Sequence, residues 1–451
     1  MTELFFEHNP GARLLALLEV QKSIAALYEP WVQGEKIDRD HLRRLHETAT
    51  LTAHRYYVES IPIYRKLAEE LGLVECDDPE TIRAEMASTD HLFKSYPQEW
   101  IEARDFESMT EWVRQFTSSP ARPKLEGIET IEQWLAAMRE AGWILRFSSG
   151  TSGHLSFVPR EGLTDRSLMH FTIRQWVQMA GRKPLPLKEF DGYFMVFAGG
   201  HQTISAQGVM LGRLCRSATF MYPEASNADL LRLAVRGPQT AAEEAALTSF
   251  RARTGGRMDA HCARILDGMV ASAKAGRPIL LYAPPFQLLD LCERMEARGE
   301  RIPPQPLASL MTGGGWKSFE NQRIAREDLL AYAHERLGFQ PDQMHEGYGQ
   351  SESNCHFNRC IHGRFHATPL SVPLVLDANQ DIMPDGGVGR YAFVDPFISS
   401  YPGFVITGDE TELVDETCPC GLSGPAIIGE VRRAQGQEIK GCGGVMAAAR
   451  G

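Results

Sequence analysis

Two textures divide the chain. Up to about residue 138, apolar positions recur at helical spacing, as in GARLLALLEVQKSIAALYEPW and DRDHLRRLHETATLTAHRYYVES, which predicts a mainly helical region. Pro62 and the segment CDDPE interrupt that pattern, and SSPARP at 118–123 has the composition of a linker. From about 139, short apolar runs bounded by Gly or Pro take over: GWILRFSSG, GYFMVFAGG, GVMLGRLC and RPILLYAPP. These read as strands, and helical stretches such as LTDRSLMHFTIRQWVQMAG and REDLLAYAHERLG alternate with them. Such alternation predicts an α/β domain. From about 364 to 417 the chain reads as β-rich, in RFHATPLSVPLVLD, GVGRYAFVDPF and FVITGDETELVDE. No internal repeat or low-complexity tract interrupts this plan.

Composition narrows the class. The chain has 451 residues, 43% hydrophobic and 23% charged, with a net charge of -11. No long Lys/Arg cluster is present, which argues against nucleic-acid binding. No run reaches the length of a membrane span, and the start MTELFFEHNPGARLL lacks the layout of a secretory signal, so a cytoplasmic location is expected. Nine cysteines, an odd and scattered set, speak for reduced thiols rather than a disulfide framework. Five of them, Cys355, Cys360, Cys418, Cys420 and Cys442, fall after position 350.

Candidate chemistry begins at RFSSGTSG, 146–153, which follows a predicted strand. Ser148, Ser149, Gly150, Thr151, Ser152 and Gly153 combine close backbone approach with hydroxyl donors, which suits either an anion cradle or an ordinary Ser/Gly turn. It is not a GxxxxGK[ST] loop, because the Lys is missing. Three further stretches follow in order: GGGWK at 313–317, EGYGQSE at 346–352 and TGD at 407–409. Together the four resemble the phosphate, adenine, YGxTE and ribose motifs of the adenylate-forming superfamily. That resemblance implies a large domain of two β-sheets flanked by helices, a β-rich subdomain, and ATP with Mg²⁺ as cofactors. It implies nucleotide contacts from Ser148, Ser149, Gly150, Ser152, Gly153, Gly313, Gly314, Gly315, Trp316, Gly347, Tyr348, Gly349, Gln350, Ser351 and Asp409. Thr151 would cradle the departing pyrophosphate, and Glu352 would ligate Mg²⁺, a hard cation that prefers carboxylate oxygen. Tyr348 either stacks on adenine or packs in the core. His201, in FAGGHQ, either lies near the substrate carboxylate or is a loop histidine.

CHFNRCIHGRFH at 355–366 and CPCG at 418–421 supply soft metal ligands. Zn²⁺ takes four such donors in a closed structural site. The preferred set is Cys360, His366, Cys418 and Cys420, with Cys355 and His362 as substitutes, against the alternative of reduced cysteines packed near a β-hairpin.

In the last third, GGGWK, CIHGRFH, SYPGF, CPCG and EIKGC in that order resemble the acyl-protein synthetase family, and HRYYVESIPIYRKLAEELGL at 54–73 is similar to the helical segment of that family and of phenylacetate-CoA ligases. In acyl-protein synthetases the acyl group passes from AMP to a cysteine near the C-terminus. Cys442 stands at that place here, with Lys440 favouring its thiolate; a plain tail thiol is the other reading. The resemblance implies activation of a fatty or aromatic carboxylic acid as an acyl-adenylate, transfer to Cys442 or a partner's thiol, and partners such as a reductase, acyltransferase or carrier protein.

The pattern departs from the superfamily in three places. The hinge reads Gly429-Glu430, leaving Arg432 as the displaced nucleotide-contacting Arg; the phosphate loop continues as GHLSFVPR without its Lys; and after the hinge the sequence runs only to Gly451, a truncated C-terminal domain. An aryl-CoA ligase, or a weakly catalytic zinc-stabilised binding or assembly subunit, are the alternatives. The expected organisation is a helical region 1–138, an adenylate-forming core 139–428 whose Cys/His subdomain starts near 355, and a hinge with tail at 429–451.

Overall fold

Capping residues set the N-terminal helices where the apolar periodicity places them. Asp38 accepts from the amides of Asp40 and His41 at 3.0 and 3.1 Å and opens the helix Arg39–Ser60. Asp78 caps Pro79–Glu85, Asp105 caps Phe106–Gln115, and Thr130 with Gln133 forms a capping box on Ile131–Glu140. The two breaks read from the sequence are thus helix starts: Pro62 and Pro79 each occupy the first turn of a new helix, where a missing N–H costs nothing. The computed structural model describes residues 11–434 except 121, 150–153, 180–184 and 255–256. No helix among them is long and apolar enough to cross a membrane.

Fourteen strands are described: β1 (Ser88–Thr89), β2 (Ile144–Ser149), β3 (Leu155–Arg160), β4 (Asp191–Phe197), β5 (Ser217–Tyr222), β6 (Ile279–Tyr282), β7 (Ala308–Gly313), β8 (Met344–Tyr348), β9 (Phe357–Arg359), β10 (Phe365–His366), β11 (Val372–Leu376), β12 (Gly387–Val394), β13 (Phe404–Asp415) and β14 (Pro425–Arg433). β2 and β3 pair with each other. The chain forms two compact units, one of Met1–Arg146, Ser156–Phe171 and Gln350–Gly451, the other of Phe147–Leu155 and Thr172–Gly349.

In the first unit the strands run in the order β11-β12-β13-β14-β10-β9, antiparallel throughout, and β1 joins β13 in parallel. The N-terminal helices belong to this same unit. Tyr57 and Tyr64 lie edge-on to Phe404 with ring centroids 5.7 and 6.3 Å apart, and all three rings are buried. Burying such a ring stabilises by about 2–3 kcal/mol relative to leaving it exposed. Ser118, at the head of the expected linker, donates its amide to the Ser400 carbonyl and its hydroxyl to the Ser399 carbonyl, so the segment is tied down at its start.

The second unit is a parallel sheet in the order β8-β7-β6-β4-β5. Ile279, Leu281 and Leu310 from its strands pack with Ile265, Met269 and Leu291 from flanking helices in one buried core. The run GVMLGRLC is not a strand. It lies in the helix Thr203–Leu214. Its glycines explain the misreading: a Cβ on Gly208 would meet Val196 at 2.8 Å, and one on Gly212 would meet Ala218 at 3.1 Å. They are spaced one helical turn apart so that the helix can lie close on β4 and β5, and a short apolar run with that spacing does not reveal its period.

Candidate active site and metal centre

Ligands of open parallel sheets bind beyond the carboxyl ends of the strands. In the parallel unit those ends carry two of the motifs. β7 ends at Gly313, which stands in register with Gly347 of β8. A Cβ on Gly313 would lie 2.5 Å from the Gly347 carbonyl oxygen, and Gly314 and Gly315 take φ values of 84° and 67°, so this corner accepts only glycine. Trp316 is buried in the apolar core, Tyr348 is half-buried and Gly349 is exposed. Glu346 is held by Arg326 at 2.6 Å. His201 is buried, and its carbonyl accepts from the Phe147 amide at 3.1 Å. Ser148 is half-buried on β2, and Ser149 closes that strand. Gly150, Thr151, Ser152 and Gly153 lie outside the described residues.

The antiparallel unit gathers the rest. The Gln350 amide donates to Asp409 Oδ2 at 3.0 Å, and Arg433 approaches Oδ1 at 3.1 Å. Arg432 stands opposite Glu410 in the β13–β14 register and is exposed. Arg433, one position beyond the Arg432 named from the hinge pattern, thus meets the TGD carboxylate. A Cβ on Gly408 would come within 2.9 Å of the Arg433 guanidinium, so the two lie side by side. Glu352 is buried, and burial pushes its carboxyl up to about 7, with Asp90 adding to the rise. A divalent cation would offset that cost, so the residue fits the hard-ion role. The turn that carries Glu352 is held by residues the motif comparison missed. Arg160, fully buried at the end of β3, donates to the Ser351 carbonyl at 2.5 Å and to Asn354 Oδ1. Asp395 accepts from the Asn354 amide at 2.6 Å and from the Phe397 amide at 3.0 Å. Their signal was faint: Arg160 closes an apolar strand like a surface residue, and Asp395 precedes a proline like a turn residue.

The same unit assembles the cysteine–histidine cluster. Cys360, His366, Cys418 and Cys420 present ligand atoms that all lie within 4.8 Å of one another. Two turns of the same kind build it, C-I-H-G and C-P-C-G. Gly363 donates to the Cys360 carbonyl at 2.9 Å and Gly421 to the Cys418 carbonyl at 2.8 Å, each glycine in the left-handed region. His366 comes from β10, fixed between Asn358 of β9 and Ala426 of β14. The Cys360 and Cys418 sulfurs are 3.8 Å apart, too far for a disulfide and close to the edge of a tetrahedron with arms of about 2.3 Å. Cys420 Sγ lies 3.3 Å from His366 Nε2. Contact with Cys420 holds the Cys360 thiol well below the usual range, and the same contact pushes Cys420 up. The donor set fits a soft, closed, four-coordinate site. Neither substitute joins it: His362 is exposed on the first turn, and Cys355 is buried elsewhere with its thiol pushed up by burial. Lys440 and Cys442 lie outside the described residues.

Comparison with known proteins places these features. Residues 261–450 match the family model described as acyl-protein synthetase, LuxE. The long-chain-fatty-acid–luciferin-component ligase of Vibrio harveyi is 26% identical over 179 residues, 39% of this chain and 47% of that protein. Its counterpart from Aliivibrio fischeri is 29% identical over 171 residues, 37% of this chain and 44% of that protein. The matched part thus spans less than half the length of these relatives. Among solved structures, 2-hydroxyisobutyryl-CoA ligase in its postadenylation state superposes with a TM-score of 0.54 at 12% identity, covering 88% of this chain and 69% of that one. The open conformation of that ligase gives 0.52 at 13%, covering 86% and 69%. At such identities the likeness is one of fold.

Proposed function

From a chain with the fold of the adenylate-forming ligases and an acyl-protein synthetase-like C-terminal part, we propose an enzyme that activates a fatty or aromatic carboxylic acid with ATP. The acid's carboxylate attacks the α-phosphate, pyrophosphate leaves, and an acyl-adenylate forms. A thiolate then attacks the acyl carbon, AMP leaves, and a thioester remains on Cys442 or on a partner protein such as a reductase, acyltransferase or carrier. The observation that carries this reading is the corner of Gly313 and Gly347, two motif glycines in register at neighbouring strand ends where backbone alone is exposed to a ligand.

Attack of one anion on another needs alignment and charge neutralisation more than covalent help. Asp409, fixed by Gln350 and Arg433, offers carboxylate oxygens to the ribose hydroxyls. Glu352 would hold Mg²⁺, which when bound supplies neutralising charge to the phosphates. The cluster of Cys360, His366, Cys418 and Cys420 would hold Zn²⁺ in a structural role, tying β10 and the turn before it to the β13–β14 connection. Carboxylate-dependent ATP–pyrophosphate exchange across a panel of fatty and aromatic acids tests the reading. Exchange that rises with one class of acid supports it, and tight ATP binding without exchange on any acid overturns it.

A further inference from the structure

The phosphate-loop segment lacks the Lys its pattern calls for, and the strand that follows ends in a buried cation instead. Every residue of β3 is buried, and Arg160 is its last. A guanidinium is expensive to remove from water, so a fully buried one is kept for what it binds. Arg160 binds a single turn. Nη2 donates to the carbonyls of Ser351 at 2.5 Å and Ser353 at 3.4 Å, the residues on either side of Glu352, while Nη1 donates to Asn354 Oδ1. Asn354 is fixed in turn by Asp395 at 2.6 Å and by the Phe397 carbonyl at 2.9 Å. The guanidinium lies 5.7 Å from the Tyr401 ring, and the Tyr401 hydroxyl donates to the Glu352 carbonyl at 3.3 Å. All three carbonyls of 351–353 are thereby spoken for, which leaves the Glu352 backbone one orientation. Arg160 Nε is buried with no partner among the described residues, a cost that packing alone would not justify.

The geometry points to Arg160 as the positioning residue of the adenylation centre: its forked guanidinium clamps the backbone on both sides of Glu352 and so aims that carboxylate. This rests on the reading of Glu352 as a magnesium ligand. A lysine nitrogen could take the place of Nη2 on the two carbonyls but has no second, divergent nitrogen to hold Asn354 Oδ1 as Nη1 does.

The test uses the full chain with Arg160→Met and Arg160→Lys, each checked for a cooperative thermal transition. Hydrogen exchange of the peptide covering 350–356 reads the clamp independently of activity. Both variants should lose protection there, and free guanidinium should restore it in Arg160→Met. In ATP–pyrophosphate exchange, the KM for Mg-ATP should rise or kcat fall by roughly ten- to hundredfold, as expected for lost hydrogen bonds from a charged donor, with the KM for the carboxylic acid unmoved. If Arg160→Met does not fold, Arg160→Lys alone carries the comparison. Unchanged protection at 350–356 in a folded variant, or losses spread equally over both substrates, overturns the inference. No exchange by the unmodified chain overturns the adenylation reading instead, and the protection data then decide the clamp by themselves.

Discussion

Within the antiparallel unit, two regions bury polar groups in opposite ways. Along the seam between the N-terminal helices and the C-terminal strands, four buried side chains meet backbone groups. Gln21 donates to the Pro396 carbonyl at 2.7 Å, Trp31 to Ser423 at 3.0 Å, His46 to Pro369 at 2.8 Å and Tyr57 to Ile398 at 2.6 Å. The cysteine–histidine cluster instead turns three sulfurs and an imidazole nitrogen toward one another. Neutral donors on carbonyls are complete in themselves. Thiols and a nitrogen acceptor converging on one point suit a cation, and in the proposed reading Glu352, buried with its carboxyl raised, belongs to this second kind. The difference separates polar groups satisfied within the chain from those arranged to suit an ion.

Removing a group of the second kind should do the most. Glu352→Gln is expected to cut ATP–pyrophosphate exchange by roughly two to three orders of magnitude, through loss of a metal-borne charge worth several kcal/mol. Near-normal exchange would place Glu352 with the seam residues. Cys418→Ala should lower stability by about 3–5 kcal/mol in denaturant titrations, and metal analysis of the unmodified chain should find one zinc, lost in the variant. A variant as stable as its parent would erase the distinction drawn for the cluster.

The seam should respond more mildly. Burial pushes His46 down to about 4 from an ordinary 6.5, so the folded chain keeps the ring neutral while the unfolded chain takes up a proton below 6.5. The sign follows: its contribution is full above pH 6.5 and is lost as pH falls toward 4. His46→Gln should flatten that part of the stability–pH curve, by about 3 kcal/mol at most between pH 7 and 4. Tyr57→Phe, which removes a hydroxyl bridging the Ile398 carbonyl and the Gly403 amide, should cost about 1–2 kcal/mol in urea unfolding with no change in the KM for ATP. A large change in that KM would show that the seam reaches the chemistry after all.

Much of this was legible in the sequence where residue type alone restricts chemistry. Cys, His and glycine in C-x-x-G turns have few uses in combination, and the set of four named from CIHGRFH and CPCG is the set that converges. Helical spacing marked the N-terminal region, and its caps agree. What was hidden depends on distant partners. Boundaries near 138 and 355 separate segments that fold together, because nothing local in HRYYVES announces that Tyr57 will meet Ile398. GVMLGRLC looked like a strand because its glycines answer to β4 and β5 rather than to their neighbours in sequence. Arg433 differs from Arg432 only in which face of β14 it takes, a choice that pairing decides. Arg160 went unnoticed because a charged residue ending an apolar run ordinarily points to water.

The seam has a consequence for biosynthesis. Tyr57 leaves the ribosome 341 residues before the carbonyl it will bond. At ordinary elongation rates of 5–20 residues per second, that is a wait of roughly 20 to 70 seconds. Throughout it the rings of Tyr57 and Tyr64 have no Phe404 to pack against, and the helices that bear them present an apolar face to the cell. These contacts can form only once the last third of the chain emerges. The first third of this protein is made early and finished late.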